Sequence, residues 1–164
     1  MTKEKYIDAV NKYSDSLFRI AFSYCKNKQD AEDAVQNTFL KLYTSDKAFQ
    51  SDAHMKNYLI KVTINNCKNI FKAPWKKVVP LEEHINDDYY TMDNRDEHYE
   101  LYNAVMSLPE KYRLVVHLYY FEDYSVKEIS ETISEKETTI QTRLMRGRNR
   151  LKILLKEVWQ DENL

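Results

Sequence analysis

A single glycine in 164 residues, at position 147, is the feature that most restricts what this chain can fold into. Tight β-hairpin turns need residues at positive φ, which glycine supplies without steric cost, so a sheet built on such hairpins would need several. With only three prolines as well, the composition predicts an all-α protein. A content of 43% hydrophobic and 13% aromatic residues can form one ordinary domain or two small ones. No apolar run approaches the roughly 20 residues that span a bilayer, and the N-terminus Met1-Thr2-Lys3-Glu4-Lys5 lacks a signal-peptide core. The expectation is therefore a cytoplasmic protein without membrane insertion. Cys25 and Cys67 sit at apolar-leaning helix positions far apart in sequence and read as reduced packing residues, with neither a disulfide nor a metal role.

The strongest local signals lie in the last third. Ser125 and Glu128 have the spacing of a reciprocal capping box, which predicts a helix from Val126. Pro109 suits a first helical position, where its missing donor costs nothing, and Leu114, Val115, Leu118 and Tyr119 follow at one-face spacing. From Thr139 to Lys156 a third helix is expected, in which Ile140, Leu144, Gly147, Leu151, Leu154 and Val158 advance by three or four. Arg143, Arg146, Arg148, Arg150 and Lys152 mostly fall elsewhere on its circumference. A basic helix alone reads as a solvated face. Behind a capped helix at turn distance, it reads as the second member of a helix-turn-helix, placed to enter a DNA major groove.

Charge and periodicity divide the rest. The first 73 residues carry four more basic than acidic side chains, whereas 74–100 holds eight acids against Lys76, Lys77 and Arg95. Periodicity lapses between Ala73 and Asn94, where Pro74 and Pro80 appear, so 74–94 reads as a flexible acidic linker between two small helical domains, 1–73 and 95–164. In the first domain, Ile7, Val10, Leu17, Ile20, Ala21 and Tyr24 define one amphipathic helix. Asp30 is the expected N-cap of a second helix, packed through Ala31, Ala34, Val35, Thr38, Phe39 and Leu42. A loop over Thr44–Asp52 leads to a third helix, about Ala53–Lys72, with Tyr58, Leu59, Val62, Cys67 and Ile70 among Lys56, Lys61, Lys68 and Lys72. Basic and aromatic residues interleaved in this way can hold a nucleic-acid strand, although the aromatics read first as core.

These segments together resemble the extracytoplasmic-function (ECF) subfamily of sigma-70-type bacterial RNA polymerase sigma factors. Asp30-Ala31-Glu32-Asp33-Ala34-Val35-Gln36-Asn37-Thr38-Phe39-Leu40 resembles the family's polymerase-binding helix, and Tyr58-Leu59-Ile60-Lys61-Val62-Thr63-Ile64-Asn65 its minus-10 helix. Leu108 to Arg113, Tyr124 to Ile129 and Thr139 to Arg148 resemble successive parts of its C-terminal domain. Three matches in order, with a linker of suitable length between them, span nearly the whole chain.

The resemblance implies a two-domain initiation factor that binds core polymerase and promoter DNA, without catalytic residue, metal or cofactor, and with an anti-sigma protein as a common further partner. By position it assigns Asp33, Gln36 and Asn37 to the polymerase, Asn37 standing where the family usually has Glu. It assigns Lys61, Asn65, Lys68 and Asn69 to the minus-10 element, and the Thr44–Asp52 loop to capture of a flipped-out base. In the recognition helix, Gln141, Thr142, Met145 and Arg146 match base-proximal positions, while Arg143 and Arg148 suit phosphate. The residue types fit the task, because Gln and Asn can bridge adenine N6 and N7 and Arg can bridge guanine O6 and N7. Ser134-Glu135 replaces the family's usual Gly and aliphatic residue in the turn. With Glu137, Ser134 also forms a second capping-box sequence that would start the recognition helix a turn early.

Two further expectations follow. A net charge of -1 releases few counterions on DNA, so the free chain should bind promoters weakly and gain affinity only with polymerase. The acids of Glu82–Asp96 suit either a basic polymerase channel later contested by nascent RNA or a solvated spacer. Against the sigma reading stands a dimeric helix-turn-helix regulator with a palindromic site, which leaves the Asp33–Leu40 and Tyr58–Asn65 matches unexplained. An enzyme is disfavoured, since His54, His84, His98 and His117 have no metal-ligand spacing and no glycine-rich phosphate loop is present.

Overall fold

The computed structural model describes residues 1–72 and 97–162, which hold seven helices and no strand. The segment read as a linker, 74–94, and its acids lie outside the described residues. The chain divides into two compact units, 1–86 and 87–164.

The first unit is a three-helix bundle of α1 (Lys3–Cys25), α2 (Lys28–Thr44) and α3 (Asp52–Lys72). Helix α1 starts on Thr2, whose hydroxyl accepts the Lys5 N–H at 3.3 Å. It stops at Lys26, held left-handed at φ 52°, with its N–H donating to the Phe22 carbonyl. The chain then reverses within two residues. Consequently α2 is capped by Asn27, whose Oδ1 accepts the Asp30 N–H at 3.0 Å. Asp30, expected as the cap, instead lies buried in the first turn, where its charge favours the positive helix end. Leu17, Ile20 and Ala21 of α1, Ala31, Ala34 and Leu42 of α2, and Leu59, Ile60 and Ile64 of α3 form the core. Ile7, placed in the α1 stripe by sequence, is 45% exposed, because Ala9 and Tyr13 take the seam at that end.

Cys25 and Cys67 are both free and buried. The neighbouring Cys25 thiol, which favours the protonated form of Cys67, and burial together push the Cys67 thiol well above the ordinary range, so the thiolate needed for oxidation or metal binding is suppressed.

The second unit comprises α4 (Glu97–Ser107), α5 (Glu110–Tyr120), α6 (Val126–Ile133) and α7 (Glu137–Glu162). Helix α4 has no cap signal in sequence, although Ala104, Val105 and Leu108 at its end and just past it are buried at helical spacing. Pro109 is the N-cap of α5 with ψ 144°, one position before the expected site. Its carbonyl accepts the Tyr112 and Arg113 N–H groups. Buried Arg113 donates through Nη1 to the Leu108 carbonyl at 3.1 Å, fixing the α4–α5 turn.

The capping box at the start of α6 forms as read, with Glu128 N to Ser125 Oγ at 3.1 Å and Ser125 N to Glu128 Oε1 at 3.2 Å. Ser134 ends α6 at φ 58°, ψ 45°. It therefore acts as a left-handed C-cap, so the second capping box with Glu137 does not form. Ser130 compensates, accepting the Glu135 N–H on its carbonyl at 3.1 Å and donating its hydroxyl to the Glu135 carbonyl at 2.5 Å. Helix α7 thus begins at Glu137, two residues before the expected Thr139 and short of a full turn's displacement.

Candidate polymerase and nucleic-acid interfaces

Helix α2 packs inward through Ala31, Ala34, Thr38 and Leu42, which turns Asp33, Gln36 and Asn37 outward together, all exposed. The same outer face carries Leu40 at 60% and Tyr43 at 63% exposure, with the Tyr6 ring 5.1 Å from Tyr43. Sequence reading took in the polar trio and missed this apolar continuation, whose signal was an offset of seven and ten residues from Asp33, off the core stripe.

Helix α3 buries Leu59, Ile60, Thr63, Ile64, Asn66 and Cys67. Lys61, Asn65, Lys68 and Asn69, at spacings of four, seven and eight, therefore share the opposite face: Lys61, Asn65 and Asn69 are exposed and Lys68 is half-buried. Toward the N-terminus that face continues into Tyr58 and His54, where the Ser45–Ser51 loop folds back. Phe49 packs against His54 and Tyr58 with ring centroids 5.5 and 5.3 Å away, and the Lys47 ammonium sits 4.5 Å over the Tyr58 ring. Tyr58, expected in the apolar stripe, is half-buried beneath the loop rather than in the core. The loop is held at both ends: His54 Nδ1 accepts the Gln50 N–H at 3.3 Å, and Ser51 Oγ caps α3 by accepting the His54 N–H at 3.1 Å. Across the unit, Lys12 binds Asp52 at 3.0 Å and the Tyr13 hydroxyl donates to the Asp52 carbonyl at 3.3 Å. The Asp52 hydrogen bond raises the Lys12 pKa. A cation and aromatic faces at the end of a Lys/Asn-lined helix can stack bases and hold backbone phosphates.

In the second unit, α7 packs inward through Ile140, Leu144, Gly147 and Leu151. Gly147 permits a close crossing, since a Cβ there would meet Val116 Cγ2 of α5 at 2.8 Å. Gln141, Thr142, Met145 and Arg146 consequently point away from the core and are exposed, with Met145 at 53%. Asn149 falls among them, exposed and not singled out by sequence. Arg143 and Arg148 flank this face on opposite sides, both half-buried. Arg143 pairs with Glu135 at 3.5 Å, whereas Arg148 leans on Tyr119 and Tyr120, 5.3 and 5.6 Å from their centroids. The positive charges of Arg146 and then Lys111 lower the Tyr112 pKa by favouring the phenolate. Met145 offers apolar contact and Gln141 a bidentate amide, the types of group that read base edges.

Comparison with known proteins accounts for both units. Residues 9–76 match the family model described as Sigma-70 region 2, and residues 98–151 that described as Sigma-70, region 4. Among similar proteins, RNA polymerase sigma factor SigV of Bacillus subtilis (strain 168) is 28% identical over 157 residues, covering 94% of this chain and 93% of SigV. The ECF sigma factor SigM of the same strain is 28% identical over 155 residues, covering 92% and 94%. In fold, the chain is similar to the sigma factor RpoE of Bartonella quintana, solved in complex with the anti-sigma factor NepR. The TM-score is 0.73 at 20% identity, with 93% of this chain and 98% of that one covered. No helix among the described residues is long and apolar enough to cross a membrane. With its region 2 and region 4 domains in order along one chain and full-length ECF relatives, this protein belongs to the ECF subfamily of sigma-70-type RNA polymerase sigma factors.

Proposed function

We propose how this ECF sigma factor, which binds core polymerase and directs sequence-specific promoter recognition and transcription initiation, divides that work among its helices. The outer face of α2, with Asp33, Gln36 and Asn37, docks on the polymerase. The Lys61–Asn65–Lys68–Asn69 face of α3 holds the minus-10 strand, and the Phe49–His54–Tyr58 cluster takes an unstacked base. Unstacking costs a few kcal/mol, so a preformed aromatic site that grasps a base once it is out shifts the balance toward the open state. In the second unit, Gln141, Thr142, Met145 and Arg146 read minus-35 base edges while Arg143 and Arg148 position phosphates. The chain contributes no catalytic group, acts in the cytoplasm where the polymerase is, and is held in reserve by an anti-sigma protein.

The observation that supports this division best is that α2 and α3, packed on each other, expose separate faces carrying the two residue sets. Run-off transcription by purified bacterial core polymerase with this chain, on a pool of randomised promoters, tests it. Specific initiation with a two-element consensus is the expected result; failure of the chain to associate with core at any salt would overturn it.

A further inference from the structure

The seam between α2 and α3 contains a buried polar cluster that neither interface uses. Thr38 and Thr63 place their hydroxyl oxygens 2.9 Å apart. Each oxygen also lies near a carbonyl of its own helix, Thr38 2.8 Å from Ala34 and Thr63 2.7 Å from Leu59, so one hydroxyl proton bridges the threonines and the other goes to its own helix. Asn66 crosses from α3, its Nδ2 donating to Thr38 Oγ1 at 3.1 Å and to the Ala34 carbonyl at 3.3 Å. Thr38 and Thr63 are fully buried and Asn66 is 7% exposed.

The buried apolar residues of the two helices are Ala31, Ala34, Phe39 and Leu42 of α2 and Leu59, Ile60, Ile64 and Cys67 of α3. Apolar contact is non-directional, so it specifies the register of one helix on another less sharply than a hydrogen bond does. Hydrogen bonds near 3 Å tolerate far less displacement, and a buried donor left unsatisfied costs more than the bond contributes when made. Thr38 follows Asn37 on the polymerase-docking helix, and Asn66 follows Asn65 on the minus-10 helix. Locking Asn66 to Thr38 therefore locks one exposed face to the other.

We infer that Thr38, Thr63 and Asn66 are positioning residues that set the register of the minus-10 face against the polymerase-docking face. They touch neither polymerase nor DNA. The inference rests on the division of labour proposed above, and its consequence is that strand opening depends on these three side chains more than stability does.

The experiment compares full-length holoenzymes on the promoter that the wild-type chain selects from the randomised pool. Thr38→Val, Thr63→Val and Asn66→Leu combined replace every member of the cluster with an apolar group of similar shape, an exchange that leaves stability nearly unchanged. Expected are core affinity within about twofold of wild type and a loss of at least about tenfold in open complex, read by permanganate reactivity of minus-10 thymines. Thr63→Ser supplies the opposite split, losing a buried methyl and some stability but keeping the hydroxyl and wild-type opening. If the triple variant does not fold, Thr63→Val against Thr63→Ser carries the same comparison. Opening within twofold of wild type by a folded, core-bound triple variant, or by Thr63→Val in its place, would overturn the inference. A wild-type chain that neither binds core nor opens any promoter would instead sink the functional reading beneath it.

Discussion

Arg148 of α7 donates its Nε hydrogen to the Tyr120 hydroxyl of α5 across 2.5 Å, and the guanidinium lies over the Tyr119 and Tyr120 rings. A long cationic side chain at the edge of the recognition face is thus held in one orientation before DNA arrives, which reduces the ordering entropy due on binding. The two Nη groups carry no part of that bond and are the atoms available to a phosphate.

Removing this orientation should weaken all minus-35 sequences alike. Tyr120→Phe keeps the ring and loses one hydrogen bond, an expected cost of about 1 kcal/mol, or several-fold in affinity. Arg148→Ala should cost more and lower the salt slope of binding by about one. Holoenzyme titrations on several minus-35 variants at two salt concentrations check both, and a sequence-selective loss would reassign Arg148 to base reading.

Gln141→Ala and Arg146→Ala should behave differently, relaxing preference at one or two minus-35 positions by about 1 to 3 kcal/mol each and sparing the rest. The Arg146 charge also acts on the Tyr112 hydroxyl, whose pKa it lowers, so Tyr112→Phe should alter preference at the Arg146 position and no other. Selection on minus-35 libraries reads this directly. A uniform loss for Gln141→Ala would show that the reading register of α7 is set elsewhere.

Gly147→Ala should destabilise the second unit although alanine is the better helix former by about 1 kcal/mol. The added Cβ would approach Val116 Cγ2 at 2.8 Å and Tyr112 Cβ at 3.6 Å. Val116 is buried and β-branched, so it has little rotamer freedom with which to retreat. Overpacking costs about 1 to 3 kcal/mol and wins. Thermal or urea unfolding should show a net loss of about 1 kcal/mol, and a gain would mean that α5 and α7 separate easily.

The two ends of α6 should respond with opposite sign. Ser125→Ala removes the reciprocal cap and should cost about 0.5 to 2 kcal/mol. Ser134→Gly relieves a left-handed conformation that costs a side chain about 1 to 2 kcal/mol. Part of that gain is returned as greater freedom of the unfolded chain, about 0.4 to 1 kcal/mol. A net rise of a few tenths to 1 kcal/mol is expected for Ser134→Gly in the same unfolding assay, and a fall would show that the Ser134 side chain has a role that its backbone conformation does not explain.

The isolated chain should bind promoter DNA weakly at physiological salt, because its net charge is -1 even though Arg143, Arg146, Arg148 and Arg150 cluster on α7. Gel shifts with and without core polymerase measure this, and a tight, specific shift by the free chain would contradict it.

What the residues determined by themselves was local: a lone glycine for an all-helical chain, Ser125 and Glu128 for the start of α6, and i, i+3, i+4 periodicity for the buried and exposed faces of α2, α3 and α7. These signals act over a few residues, where capping geometry and helical pitch leave little choice. The choice between competing local caps, and the contacts between helices, were decided in the folded chain. Asn27 rather than Asp30 became the α2 cap because a left-handed Lys26 reversed the chain three residues sooner. Ser134 became a C-cap because Ser130 stood one turn away to hold the turn closed, which excluded its use as an N-cap. The Phe49–His54–Tyr58 cluster, the Thr38–Thr63–Asn66 lock and the Arg148–Tyr120 bond join side chains brought together by packing, and that proximity has no periodic trace in the order of the residues.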